Sequence, residues 1–175
     1  MDSVCNMVGA FIDFENIFWG LKRPHRQTVS VVELMEKIEK YGRFSVGYAV
    51  ADWSERRRDG SLIYPERARR DLRAAGIEAI DAPKSSNCSN KNVADIRLAS
   101  IIFSNLTHRK DIDTYLLMSS DGIFVDVVNL IKRDFGKRVV IAGVPPVSKD
   151  LIYCVGEANC DPFNFEPVEY TTIPE

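Results

Sequence analysis

Three aspartates in this sequence stand where a parallel sheet would bring carboxylates together. Asp13 closes a near-continuous apolar run that begins at Met7. Asp121 follows a second apolar run, and Asp95 lies in the first turn of a predicted helix. Carboxylates that converge at one edge repel each other, which destabilises a protein unless a cation binds among them. Because hard oxygen ligands suit Mg²⁺ or Mn²⁺, the set predicts a divalent metal site, whereas Asp13 or Asp121 alone would be interpreted as a helix cap.

Apolar runs and amphipathic segments alternate along the chain. The predicted strands are 7–14, 44–51, 77–82, 113–118 and 138–142. The predicted helices are 30–42, 65–75, 92–106, 122–135 and 149–155. This alternation favours an α/β/α fold with a five- or six-stranded, mainly parallel sheet in the strand order 3-2-1-4-5. Ligands of such sheets bind beyond the carboxyl ends of the strands where the order reverses, and Asp13 and Asp121 are expected there.

Length and composition limit the class of protein. The chain has 175 residues, of which 45% are hydrophobic, and a formal net charge of −2. This length predicts a single domain over residues 1–175, and no apolar stretch is long enough to cross a membrane. Because of the slight negative net charge, the protein has no overall positive potential that would attract nucleic acid. The four cysteines form no C-x-x-C pair and the N-terminus has no export signal, so we expect no zinc site and a cytoplasmic protein.

Three sequence blocks carry a more specific signal because they occur in a particular order. They are IDFEN at residues 12–16, KNVAD at 91–95 and LMSSDGIF at 117–124. These blocks resemble the I-D-x-x-N, K-x-x-x-D and S-G-D-x-D-F motifs of the NYN family of PIN-like nuclease domains, and the similar pattern covers most of the chain. The resemblance implies a three-layer PIN-like fold and a metal-dependent endoribonuclease that hydrolyses phosphodiester bonds of RNA with Mg²⁺ or Mn²⁺.

The same resemblance implies roles for individual residues. Asp13, Asp95 and Asp121 would bind the metal. Asn16 would complete the catalytic set by positioning a water or a phosphate. The residues that would bind the substrate phosphate are Lys91, Ser119 and Ser120, although serines before a helix often only cap it.

A basic segment provides a second candidate surface for substrate. Residues 55–73 carry seven arginines against four acidic residues. Arg56 and Arg57 are predicted to contact a phosphate backbone, and Trp53 beside them to stack on an unpaired base. The alternative is a solvated helix face of mixed charge with a core tryptophan. We expect single-stranded RNA as the partner, and the sequence leaves a homodimer open.

Two departures from the family pattern favour a second function. Ile101 and Ile123 stand where the family often has acids. Fewer carboxylates would hold metal less tightly, so the alternative is a catalytically reduced module that binds RNA or a nucleotide, or regulates a partner. Glu15 and Asp52 are the candidates to replace the missing acids, whereas Asp126 lies about 140° around the helix from Asp121. A phosphatase of the haloacid-dehalogenase type is a weaker third interpretation, because its nucleophile motif requires aspartate where this chain has Glu15.

Overall fold

Strands of a parallel sheet alternate with helices along the chain. The computed structural model describes residues 6–25, 29–84 and 92–163. The strands are β1 (Met7–Asp13), β2 (Arg43–Ala51), β3 (Ile77–Asp81), β4 (Thr114–Met118) and β5 (Arg138–Ile141). The helices are α1 (Phe14–His25), α2 (Val31–Glu39), α3 (Glu66–Ala74), α4 (Val93–His108), α5 (Val125–Arg133) and α6 (Lys149–Val155). Short 3₁₀ turns lie at Gly122–Phe124 and Glu157–Asn159.

The sheet has five strands in the order β3-β2-β1-β4-β5. All four neighbouring pairs are parallel. Parallel neighbours require crossover connections, and right-handed crossovers from a central strand place helices on both faces. The predicted α/β fold and strand order are therefore confirmed. The order reverses between β1 and β4, so the carboxyl ends of these two strands flank the crevice where ligands of such sheets bind.

β1 lies at the centre of the sheet and is buried on both faces. Val8, Ala10 and Ile12 belong to the core cluster that contains the apolar residues of α1 and α2. Phe11 belongs to the cluster that contains those of α4 and α5. Side chains alternate between the faces of a strand, so the alternation places Asp13 on the same face as Phe11. That face is covered by α4, the helix that carries Asp95.

The helix α1 begins directly after β1, without a loop. None of the five helices predicted from the sequence covers these residues. One stripe of its surface packs on the sheet, because its buried residues recur at helical spacing. The stripe consists of Phe14, Ile17, Phe18 and Leu21. The direct junction holds Glu15 and Asn16, in the first turn of α1, at the carboxyl end of β1.

Local signals account for several helix boundaries. The Ser30 hydroxyl accepts a hydrogen bond from the Glu33 N–H at 3.4 Å and caps α2, as the sequence predicts. α3 ends before Gly76, whose φ of 81° is left-handed. The segment predicted as one helix over 122–135 instead starts with a 3₁₀ turn before α5. No helix in the described ranges has the length and hydrophobicity that crossing a membrane requires.

Gly143 allows the ends of β4 and β5 to pack closely. A Cβ atom at this position would lie 2.8 Å from the Ser119 carbonyl oxygen and 2.5 Å from the Ser120 hydroxyl. We expect Gly143→Ala to lower the free energy of unfolding by about 1–3 kcal/mol, because backbone must move to relieve the clash. Gly122→Ala is the matched comparison, since its Cβ would meet only the Ser148 side chain, 2.9 Å from the hydroxyl. Chemical denaturation of both variants measures the difference, and equal losses would contradict this account.

Candidate active site

A cleft of about 710 Å³ opens at the carboxyl ends of β1 and β4. Four carboxylates line it, and they come from the β1–α1 junction, from α4 and from the end of β4. We call this part the acidic cleft, formed by Asp13, Glu15, Asp95 and Asp121. Asn16, Asn92 and Ser120 add polar atoms. The three aspartates singled out in the sequence thus share one cleft, although they are far apart along the chain.

Asp13 is the most buried of these carboxylates, with 5% of its surface exposed. Its Oδ2 atom accepts a hydrogen bond from the Ser119 hydroxyl at 3.0 Å. Its Oδ1 atom accepts one from the Asn16 N–H at 3.1 Å. Burial raises the pKa of the Asp13 carboxyl to about 7, and the charge of Asp95 adds to this shift, whereas the two hydrogen bonds oppose it. Asp13 therefore carries a proton for part of the time at neutral pH.

Asp95, in the first turn of α4, is close enough to the other acids for their charges to act on its carboxyl group. Burial raises the pKa of Asp95 to about 6, and the charges of Asp121 and Glu15 contribute in the same direction, against Lys84. Asp121 is exposed, and its Oδ1 atom accepts a hydrogen bond from the Ile123 N–H at 3.0 Å. This bond starts the 3₁₀ turn after β4. The capping role foreseen for Asp121 thus exists beside its position in the cleft.

The carboxylates of the acidic cleft are the donors that a hard cation prefers, but they are not spaced as a ready-made metal site. Their mutual repulsion is the feature that a divalent cation relieves. Within the described ranges, however, no group of three or more Asp, Glu, His or Cys side chains is arranged to hold a metal ion. Mg²⁺ commonly binds proteins through one or two carboxylates, with waters and a substrate phosphate as its other ligands. The donor set fits that mode of binding.

Hydrogen bonds of the two serines that follow β4 join three polar residues of the cleft. The Ser119 hydroxyl, which donates to Asp13, also accepts from the Asp121 N–H at 3.2 Å. The Ser120 N–H donates to Asn16 Oδ1 at 3.0 Å. Ser119 is 0% exposed, which contradicts a direct contact with substrate. Ser120 lines the cleft, and its hydroxyl donates to the Val144 carbonyl. Ser119 therefore positions Asp13 and the Asp121 backbone, whereas Ser120 holds Asn16 and the segment after β5.

Lys84 is a charged neighbour that the sequence patterns did not single out. Its ammonium pairs with Glu15 at 3.0 Å and with Glu55 at 3.1 Å. Glu15 also accepts from the Asp52 N–H at 2.9 Å. Lys84 follows β3 closely, and its position at a strand end is the signal that would have indicated it. Lys91, the lysine predicted to bind phosphate, lies outside the described residues.

The two acids considered as replacements for missing family acids differ in position. Glu15 lines the acidic cleft, whereas Asp52 is not among the lining residues. Asp52 is 5% exposed, and it accepts hydrogen bonds from Ser54 and from the Lys84 N–H. Its carboxylate therefore organises the turn after β2. Only Glu15 remains a candidate to supplement the three aspartates.

Trp53 does not offer the stacking face predicted for it. Its ring is 4% exposed, with its centre 4.6 Å from that of Phe14, and its indole N–H donates to the Ile80 carbonyl. Arg56 and Arg57 lie in the turn that follows, where they donate to carbonyls within residues 60–63. Neither arginine lines the acidic cleft. The alternative, a core tryptophan, is correct because the Trp53 ring packs in an aromatic cluster with Phe14 and Tyr64.

The raised pKa of Asp13 predicts how stability depends on pH. Between the ordinary value of 3.8 and about 7, the folded protein keeps a proton on Asp13 that the unfolded chain has released, so metal-free stability falls as pH rises. Since one pKa unit corresponds to about 1.4 kcal/mol, we expect Asp13→Asn to stabilise the metal-free protein by about 2–4 kcal/mol at about pH 8. This gain should vanish at about pH 4.

Denaturation in chelator at both pH values measures this effect, with the exposed Asp126→Asn as the control. A gain that is the same at both pH values would contradict the assigned cause. Millimolar Mn²⁺ should raise the melting temperature of the wild type and leave that of Asp13→Asn nearly unchanged, because a ligand that binds only the folded state stabilises it.

Comparisons with known proteins agree with this architecture. The family model of the NYN domain matches residues 7–158. No curated protein gives a significant match. Among solved structures, the chain resembles a protein of unknown function from Vibrio parahaemolyticus, with a TM-score of 0.76 and 18% identity over 94% of this chain and 96% of that chain. At this identity the likeness concerns the fold alone. Because the family match spans most of its length, this chain belongs to the NYN domain family.

Proposed function

We propose that this chain is a metal-dependent ribonuclease that hydrolyses phosphodiester bonds in the acidic cleft. The observation that carries the proposal is the meeting of Asp13, Asp95 and Asp121 in one open cleft, with the pKa values of the first two raised. Perturbed carboxylates in a cleft at the switch point of a sheet are typical of functional sites. Membership of the NYN family favours nuclease activity over the phosphatase alternative.

The proposed cofactor is Mg²⁺ or Mn²⁺, held by Asp13, Asp95 and Asp121. When bound, the ion would lower the pKa of a water and offset the negative charge of the phosphodiester. Asp13 reaches the cleft in a defined orientation because Ser119 and the Asn16 N–H hold its two oxygens. Asp95 makes no hydrogen bond or ion pair with any described residue, so its oxygens stay available to a cation or to a proton.

We propose that the side-chain amide of Asn16 binds the phosphate of the substrate. Its Oδ1 atom accepts from the Ser120 N–H, which turns the amide nitrogen to the other side. No described residue accepts a hydrogen bond from that nitrogen, and Asn16 lines the cleft. Two N–H donors are therefore available for a phosphate oxygen. They would position the phosphodiester beside the carboxylates, where geometry contributes to the rate.

A binding module without turnover is the second candidate function. Two observations favour it: Ile123 stands 43% exposed, where the family often has an acid, and no ready-made cluster of three metal ligands occurs in the described part of the chain. Ile101, the other departure, is half-buried on α4. Under either function we propose RNA as the partner and a reducing cytoplasm as the location, in keeping with the free thiols of Cys154 and Cys160.

The Asp121→Asn variant distinguishes a nuclease from a module that only binds RNA. We expect this variant to lower the rate of RNA cleavage in Mn²⁺ by about 100-fold or more, because it removes a charge that holds the ion. Asp126→Asn is the control, since Asp126 is also exposed and does not line the cleft. Cleavage of a fluorescent single-stranded RNA measures both rates. Cleavage that persists unchanged in Asp121→Asn would reject the nuclease proposal for this cleft.

Restoring an acid at position 123 should increase activity. Ile123 is exposed and lies two residues after Asp121, so Ile123→Asp adds a carboxylate beside Asp121 without burying a charge. We expect the cleavage rate in subsaturating Mn²⁺ to rise by about tenfold, since tighter binding of the ion increases the fraction of enzyme that holds it. Val32→Asp is the control because it makes the same change at an apolar residue that is 67% exposed on α2. A rate that rises equally in both variants would reveal a general charge effect and contradict the prediction.

A further inference from the structure

A second cavity, of about 200 Å³, opens at the carboxyl ends of β2 and β3 and shares no lining residue with the acidic cleft. Its apolar walls are formed by Trp53, Leu62 and Tyr64. The volume is several times the roughly 30 Å³ that one water occupies in the liquid, and it is smaller than a pocket for a drug-sized ligand, which has about 300 Å³ or more. The second cavity therefore has room for one planar ring system.

Arg69, on α3, lines the second cavity with a guanidinium group that has no acceptor. Its Nε–H is buried and unsatisfied, and the group makes no hydrogen bond or ion pair with any residue in the described ranges. Unpaired buried donors are few in native proteins because each one destabilises the folded state. An acceptor supplied by a ligand in the second cavity would satisfy this guanidinium, which presents donors in a planar fork.

Asp81, the last residue of β3, brings a carboxylate to the same cavity. Its Oδ1 atom accepts a hydrogen bond from the Trp53 N–H at 3.0 Å, and no described residue donates to its Oδ2 atom. Asp81 and Arg69 form no ion pair with each other, although both line the second cavity. A ligand that offers acceptors to the guanidinium and donors to the carboxylate would therefore pair with both groups.

Guanine has this combination of groups. Its O6 and N7 atoms are neighbouring acceptors that an arginine binds as a bidentate pair, and its N1–H and N2–H groups are neighbouring donors that suit a carboxylate. Adenine carries an amino group in place of O6, which would face the arginine with a second set of donors. The other charged residues of the second cavity are Arg56 and Glu66, so its formal charges balance. This balance favours an uncharged base over a phosphate.

The second cavity and the acidic cleft lie along one edge of the sheet. Trp53 and Asp81 stand at the carboxyl ends of β2 and β3, and parallel strands have these ends on the same side. β3 is two strands from β1, and neighbouring strands are about 4.8 Å apart, so the two sites are roughly 10 Å or more apart. Lys84 connects them, since its ammonium pairs with Glu15 of the cleft and with Glu55 in the turn after β2. A single strand of RNA spans this distance within a few nucleotides.

We infer that the second cavity binds a guanine base of single-stranded RNA, with Arg69 on O6 and N7 and Asp81 on N1–H and N2–H. The inference rests on the proposed function for the identity of the polymer. In a duplex, the N1–H and N2–H groups of guanine are paired with cytosine, so only an unpaired guanine can offer them to Asp81. The second cavity thus gives the protein a preference for guanine at a fixed place beside the cleft.

The first test compares single-stranded probes that differ in one base. They are fluorescein-labelled oligouridylates that carry one guanosine, one inosine or one adenosine, and inosine differs from guanosine only by the missing N2 amino group. Binding is followed by anisotropy in Mg²⁺ with the Asp121→Asn variant, in which we expect cleavage to be suppressed. We expect the guanosine probe to bind about 5- to 100-fold more tightly than the adenosine probe, with inosine between them. Equal affinities for guanosine and adenosine would overturn the inference.

Two substitutions in the same background assign the contacts. Asp81→Asn keeps an oxygen for the Trp53 N–H and removes the carboxylate, so guanosine and inosine should bind equally. Arg69→Met keeps the apolar stem and removes every N–H donor, so the preference for guanosine over adenosine should disappear. Arg73→Met is the control, because Arg73 is exposed on α3 and does not line the second cavity. It should retain both preferences, and preferences that persist in Arg69→Met and Asp81→Asn would overturn the inference.

Mononucleotides test the second cavity without RNA, metal or turnover. Calorimetry of the wild type in chelator measures binding of the monophosphates of guanosine, inosine and adenosine. We expect the guanosine monophosphate to bind at least about 5-fold more tightly than the adenosine monophosphate, and Arg69→Met to remove this difference. Equal binding of the two, or no binding of either, would overturn the inference. Absence of RNA cleavage by the wild type would count against the proposed nuclease alone, because calorimetry and anisotropy report on the second cavity without cleavage.

Discussion

The burial of one carboxylate at the end of the central strand is the constraint around which the site is arranged. Asp13 is placed there because β1 runs through the middle of the sheet and ends inside the protein. A buried charge requires hydrogen bonds, and Ser119 and the first turn of α1 supply them. Ser119 in turn accepts from the Asp121 N–H, and Asn16 accepts from Ser120. The need to satisfy Asp13 thus ties β1, α1 and the end of β4 into one network.

That network reduces the cost of the buried charge without removing it. The pKa of Asp13 stays near 7 because burial outweighs the two hydrogen bonds, and the charge of Asp95 acts in the same direction. Repulsion between like charges that the fold holds close together destabilises the folded state, and functional sites often contain such destabilising groups. The surrounding sheet and its two core clusters tolerate this instability. Protonation of Asp13 relieves it, which links the stability of the domain to pH.

The sequence predicted the parts of this arrangement that depend on local pattern. The apolar runs indicated the five strands, and their alternation with helices indicated a parallel sheet and its order. The aspartates were then expected at one edge, because parallel strands have their carboxyl ends on the same side. Ser119 was considered as a phosphate ligand, yet 0% of its surface is exposed. A hydroxyl before a helix has the same sequence signature whether it faces the substrate or the core.

The two tryptophans separate what the sequence by itself determined from what only the tertiary structure decided. The sequence determined the periodicity of the strands and of every helix but α1, and the strand ends at which acids stand, since these follow from residue types at short spacing. The alternation of these elements favoured the strand order. The sequence did not distinguish Trp53, which is buried against Phe14, from Trp19, which lines the cleft. Exposure of a ring depends on which distant segments pack against it, as Phe14 of α1 packs against Trp53. Such contacts join residues far apart along the chain, so only the folded structure assigns them.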